Sequence, residues 1–264
     1  MKSLSVVFLF AAACGASGDG SSSIAELRAA LPSQSWVAMT PVVSQPPALT
    51  SCGTLGASTF GVLTHKITSD VDGVLGGVLG VVQTITKTPP TATAPGHAVW
   101  GPIPSATSSV YRLQVDESAR GEFHFLLAGR DAKSDWRGVF QGVTVAPDAT
   151  HRAGQIAVDF AVMHALDASV DPVAGQVDLH FEAADPARNV TATFAGIRGK
   201  SAPQPDDGQY KLVTAADHSS GFAYSTRVDF DGDGTLDELA HIDSQWSPTG
   251  AGVAHLTVSG GSLG

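Results

Sequence analysis

The chain has 264 residues, 43% hydrophobic and 15% charged, with 25 acidic against 15 basic side chains and a formal net charge of −10. That balance, with no basic cluster anywhere, excludes a nucleic-acid backbone binder and a polybasic membrane contact. Its length suits one large all-β or α+β domain or two small ones, and two cysteines, Cys14 and Cys52, rule out a disulfide framework.

In chain order, Lys2 supplies a short positive region, Leu4 to Phe10 an apolar run, and Ala11, Ala12 and Ala13 a small-residue approach to Cys14. The apolar run is about half of the ~20 residues a bilayer needs, so the segment reads as a secretory signal rather than a spanning helix. With a cysteine at the cleavage point, Ala12, Ala13 and Cys14 resemble the lipobox of bacterial lipoproteins. The resemblance implies a signal peptide over 1–13, acylation of Cys14, and the lipid bilayer as a partner. Gly15 follows the cysteine, where aspartate usually means inner-membrane retention, so the resemblance points to the outer membrane. Residues 14–23 then form the lipidated cysteine and a Gly/Ser-rich flexible stalk. With Cys14 lipidated, Cys52 is the remaining thiol and reads as a buried structural one; without cleavage, a Cys14–Cys52 bridge stays open.

Residues 24–264 read as a single domain: a helical and extended segment over 24–97, then an antiparallel β region over 98–264. Ser23 and Glu26 have capping-box spacing before a helix carrying Ile24, Leu27, Ala30 and Leu31 on one face, closed by Pro32. Trp36 to Pro47 reads as an extended connector. A second helix is expected from a cap at Ser69 or Asp70, with Val71, Val74, Leu75, Val78, Leu79, Val82 and Ile85 at helical spacing. No charge interrupts Gly73 to Thr86, and Gly73, Gly76, Gly77 and Gly80 lie on an adjoining face, each costing about 1 kcal/mol in a helix interior. Either the segment is not helical or the glycines admit a close surface. The second reading, with Gly76 and Gly77 against a curved sheet, predicts that Gly77→Leu destabilises by overpacking.

From residue 98 the period becomes two. Leu113 and Val115, Phe123 and Phe125, Ile156, Val158 and Phe160, Val177 and Leu179, Val190 and Ala192, and Tyr210 and Leu212 each alternate with polar residues. Such alternation, joined by short turns, is the mark of antiparallel sheet. The expected fold is α+β, mainly β: a curved antiparallel meander or an up-and-down β-barrel, packed on or around the glycine-rich helix.

One chemical motif stands out. Asp229, Asp231 and Asp233 alternate before Gly234 in DFDGDGTLDE, and the run resembles the calcium loops of EF-hand, dockerin and integrin-repeat types. The resemblance implies a structural Ca²⁺ held by Asp229, Asp231, Asp233, the Thr235 carbonyl and Asp237. Ala240 stands at the twelfth position in place of a bidentate glutamate, and Glu238 is at the tenth. Here the loop joins two strands rather than two helices, so it reads as a hairpin staple.

The remaining candidates are weak. Nine histidines show no HxxxH or HExxH spacing, no GxSxG elbow occurs, and Asp171, Asp206 and Asp207 read as turn carboxylates. The expectation is a membrane-anchored, non-enzymatic envelope lipoprotein, structural or binding, with no catalytic residues, no nucleic-acid partner and no organic cofactor. Carriage of a lipid or other hydrophobe is the sharper alternative. A secreted hydrolase of envelope polymers, which needs an acidic cleft with two carboxylates, is the alternative of a different class.

Overall fold

Alternating apolar residues from His97 onward pair with their chain neighbours through short turns, and this one rule generates the architecture. The computed structural model describes residues 21–38, 59–105, 107–146, 150–200, 206–249 and 251–261. The signal segment, Cys14 and Cys52 lie outside the described residues. Three helices come first: α1 (Ile24–Ala29), α2 (Gln34–Val37) and α3 (Thr59–Thr86). Strands β1 (Ala92–Ala94), β2 (His97–Pro104), β3 (Val110–Ala119), β4 (Glu122–Arg130), β5 (Arg137–Val145) and β6 (His151–Asp159) follow. Helix α4 (Phe160–Leu166) intervenes before β7 (Ala174–Ala184), β8 (Ala187–Arg198), β9 (Asp206–Thr214), β10 (Ser220–Val228), β11 (Glu238–Trp246) and β12 (Gly252–Gly260). All twelve strands form one antiparallel sheet whose spatial order is the chain order.

The meander is open. β1 pairs with β2 alone and β12 with β11 alone, so no closing ladder makes the barrel that was one of the two expected forms. β1 has three residues, all exposed, and follows Pro89 and Pro90, which carry no N–H to donate. It is too short to seal a seam with the nine-residue β12.

Registered rows build the core. Trp100, Leu113, Leu127, Phe140, Val158 and Val177 stand side by side from β2 to β7, and all are buried. Farther along, Phe181, Val190, Leu212 and Phe222 form a second buried row from β7 to β10. Each fully buried large apolar side chain contributes roughly 1.5–3 kcal/mol relative to exposure. Gly142 fits among them because a Cβ there would sit 2.7 Å from Phe125 Cζ and collide with the Gln155 carbonyl.

The helices follow their sequence signals with three departures. Ser23 and Glu26 form the expected capping box: the Ser23 hydroxyl accepts from Glu26 N at 3.3 Å, and the Glu26 carboxylate accepts from Ser23 N at 2.6 Å. Within the expected connector, Trp36 belongs to α2 and stacks on Phe181 with ring centroids 6.2 Å apart. α3 begins at Thr59, so Ser69 and Asp70 lie inside the helix rather than capping it. The apolar spacing of Phe60, Leu63 and Ile67 leads into Val71 without a proline, and nothing in the sequence stops the helix there. Finally, Phe160 and Val162 belong to α4, not to a strand. Asp159 caps that helix by accepting from Val162 N at 3.0 Å, and Ala161, Met163, Ala165 and Leu166 are good helix formers.

Leu75, Val78, Leu79, Val82 and Ile85 of α3 are buried in the same apolar cluster as Trp100, Leu113 and Phe140. The end of α3 is held in place by the Thr88 carbonyl, which accepts from the Arg28 guanidinium at 3.0 Å and from Trp100 Nε1 at 3.1 Å. Among the described residues, no helix is long and apolar enough to cross a membrane.

Candidate functional site

Two features lie at opposite ends of the sheet. The first is a cleft of about 550 Å³ between the C-terminal half of α3, strands β2 to β5, and α4 with the loop after it. Gly77, Gly80, Val81, Thr84 and Ile85 form its helical wall, facing Ile103, Tyr111, Leu127, Val139, Met163 and Val170. The Ser109 hydroxyl, buried at the start of β3, donates to the Leu166 carbonyl at 2.7 Å and fixes the end of α4 beside the cleft.

Gly73, Gly77 and Gly80 of α3 do not serve close packing. A Cβ added at Gly73, Gly77 or Gly80 would meet nothing within 4 Å, and at Gly76 it would meet only the end of the Gln34 side chain, at 3.1 Å. The expected close surface at Gly77 is therefore wrong: Gly77 and Gly80 leave room, and their missing side chains are part of the cleft. Val81 beside them is 41% exposed, an apolar side chain left facing the opening.

Polar groups in the cleft are few. Thr84 donates its hydroxyl back to the Gly80 carbonyl at 2.8 Å. Burial pushes the Tyr111 phenol above its ordinary pKa, and the negative charge of Asp167 adds to the effect. Asp167 stays ionised: the Ser169 hydroxyl first, and the Ser169 backbone N–H second, hold its carboxyl below the usual aspartate value. The lining thus presents an apolar wall, a neutral phenol and one carboxylate. It can bind and orient an apolar body, and among its described residues there is no nucleophile–base pair.

The second feature is the acidic loop between β10 and β11. Gly232 and Gly234 have φ of +79° and +90°, so the sharp turn expected at Gly234 is present. Asp229 accepts from Gly234 N at 2.9 Å, Asp231 from Asp233 N at 3.1 Å, and Asp233 from Thr235 N at 2.7 Å. Carboxylate oxygens of Asp229, Asp231 and Glu238 lie within 4.8 Å of one another. Asp233 and Asp237 are not in that group.

Glu238, which the loop pattern leaves out, is fully buried. The signal for it was available in the strand period: Glu238 shares a face of β11 with Ile242 and Ser244, both buried. A charged residue at the head of an inward-facing row asks for a partner.

Other candidates are accounted for by local contacts. His124 bonds Glu122 at 3.0 Å, His241 bonds Ser225 at 2.7 Å and His164 bonds the Val170 carbonyl at 2.9 Å. Trp136 is flanked by the Arg112 and Arg130 guanidinium groups, each 4.7 Å from its ring centre. Comparison with protein-family models, with curated proteins and with solved structures found no match for this chain.

Proposed function

We propose that the chain is an exported, lipid-anchored envelope protein that binds an elongated apolar ligand, such as an acyl chain, in the cleft beside α3 and catalyses no reaction. The cleft carries this reading. Its volume of about 550 Å³ falls inside the ~300–1,000 Å³ typical of small-molecule sites. The glycines of its helical wall are unexplained by packing and explained by a guest. At ~0.8 kcal/mol per buried CH₂, about ten methylenes gain roughly 8 kcal/mol, equivalent to a micromolar complex before association costs.

The fold reading that accompanies it is a sheet curved over α3. At about 1.5 Å per residue, the 28-residue helix is ~42 Å long. It approaches β2 near one end of the sheet and β11 and β12 at the other. A flat sheet would separate β2 from β11 by ~43 Å at ~4.8 Å per strand, so α3 lies across a flat sheet only at full stretch; curvature relaxes that demand. The anchor itself rests on the AAAC junction at Cys14, with the outer membrane favoured by Gly15. A hydrolase of envelope polymers draws less support, since Tyr111 and Asp167 do not make the carboxylate pair such chemistry uses.

The test is displacement of a fluorescent fatty acid from the purified protein, with Gly77→Leu as the blocked cleft. Binding by the wild type and at least about ten-fold weaker binding by a stably folded Gly77→Leu are expected, since ~1.4 kcal/mol of lost burial already gives that factor. Equal binding by both proteins would remove the cleft as the site. Mass spectrometry of protein from membranes should find an acylated Cys14 at the N-terminus, and an unmodified start elsewhere would refute the anchor.

A further inference from the structure

We infer that Asp229, Asp231 and Glu238 form a Ca²⁺ site in which the buried Glu238, rather than Asp233 or Asp237, completes the ligand set. Two oxygens bound to one Ca²⁺ at ~2.4 Å can be at most ~4.8 Å apart, and carboxylate oxygens of these three residues meet that limit pairwise. An independent observation comes from Glu238 itself. Its side chain is fully buried, Oε2 accepts from Phe230 N at 3.0 Å, and Oε1, equally buried, has no hydrogen-bond partner. A buried carboxylate oxygen lacking a donor is costly, and a cation bound to that carboxylate would offset the cost.

The surroundings fit this assignment. Gly261, at the end of β12, has φ +56° and lies so close to Glu238 that a Cβ there would strike Oε1 and come within 3.1 Å of Asp237 Oδ1. The chain end therefore packs against the Glu238 carboxylate, while Asp229 and Asp231 are exposed. Oxygen-only donors of full negative charge select a hard divalent cation, and carboxylates on a flexible turn suit the irregular coordination of Ca²⁺ better than the strict octahedron of Mg²⁺. A bound ion would hold the loop between β10 and β11 to the first residue of β11. Asp233, whose Oδ1 accepts from Thr235 N, lies outside that group and shapes the turn.

The experiment is calorimetric titration of Ca²⁺ into chelator-treated protein, with the thermal midpoint followed in parallel. Wild type should bind and gain stability by mass action. Loss of a direct ligand in Glu238→Gln should weaken binding by more than the ~10–100-fold typical of outer-shell changes. Asp233→Asn and Asp237→Asn should bind within about three-fold of wild type, a difference of ~0.7 kcal/mol or less. If Glu238→Gln fails to fold, Asp231→Asn at its exposed position must show the same loss. No heat and no midpoint shift at ~10 mM Ca²⁺, above the weakest extracellular sites at ~1 mM, would overturn the inference. Equal losses in Asp233→Asn and Glu238→Gln would overturn it too, by returning the loop to its sequence-predicted ligand set.

Discussion

Gly77→Ala separates the two accounts of the glycine-rich helix by the sign of one measurement. Were Gly77 pressed against a surface, a methyl group would overpack the contact and the protein would lose stability. The structure leaves open space there, with nothing within 4 Å of the added Cβ, and no positive φ is demanded of the residue. The methyl group then acts only on the helix, where alanine is favoured over glycine by about 0.8–1 kcal/mol. For a domain of ~150–250 residues that gain raises the thermal midpoint by ~2–4 °C. Gly77→Leu should also stabilise the helix, by somewhat less, while placing its side chain in the cleft. Scanning calorimetry of wild type, Gly77→Ala and Gly77→Leu, paired with fatty-acid displacement, gives the readout. Higher midpoints in both variants with weakened binding in the leucine variant are expected. A fall of a few degrees in Gly77→Ala would refute the open-cleft geometry and restore the close surface.

Gly142→Ala should act in the opposite direction, because its Cβ would meet the Gln155 carbonyl and Phe125. A loss of ~1–3 kcal/mol or more in urea unfolding is expected, and an unchanged midpoint would show that the rows around Phe125 are looser than described. For Tyr111, burial and then Asp167 raise the folded-state pKa above its ordinary value of 10.0. A raised pKa contributes stability that is fully present below the unfolded value of ~10 and lost as pH rises through the folded value. Wild type should therefore lose stability above about pH 10 more steeply than Tyr111→Phe, and parallel urea midpoints between pH 8 and 11 would contradict this.

What the sequence revealed depended on how local the cause was. Strand periodicity is written residue by residue, so the meander and its inward rows were readable from Leu113 to Leu212. The α1 capping box was readable for the same reason, since Ser23 and Glu26 settle it between them. α4 was missed because Phe160 and Val162 continue the two-residue alternation of β6, and only the Asp159 cap announces the change. The glycines of α3 were legible as an anomaly but not as its cause. Helical positions without side chains at Gly73, Gly76, Gly77 and Gly80 suit both a close surface and a cavity, and the choice between them lies in Met163, Val170 and Ile103, far away in the chain. Glu238 was missed because a loop template weighs positions within the loop, whereas its burial comes from the β11 face and the end of β12.

Burial is uneven along the sheet, and this unevenness connects the two candidate sites. From β2 to β10 the inward rows are covered, and apolar burial holds those strands. At β12 the cover ends: Leu256, paired with the buried Ile242 on the inward face, is 38% exposed and returns correspondingly less of the ~25 cal/mol per Å² that burial yields. The last hairpin thus depends on its backbone ladder and on whatever fixes its ends. A cation shared by Asp229, Asp231 and Glu238 would act at that place, where the hydrophobic contribution is reduced. At the other end, the cover over β2 to β5 is present but incomplete, and the gap is bounded by glycines rather than by truncated core residues. The walls of that gap are fixed by hydrogen bonds, α3 through Thr88 and α4 through Ser109, and on the proposed reading those ties would keep the space available for a guest.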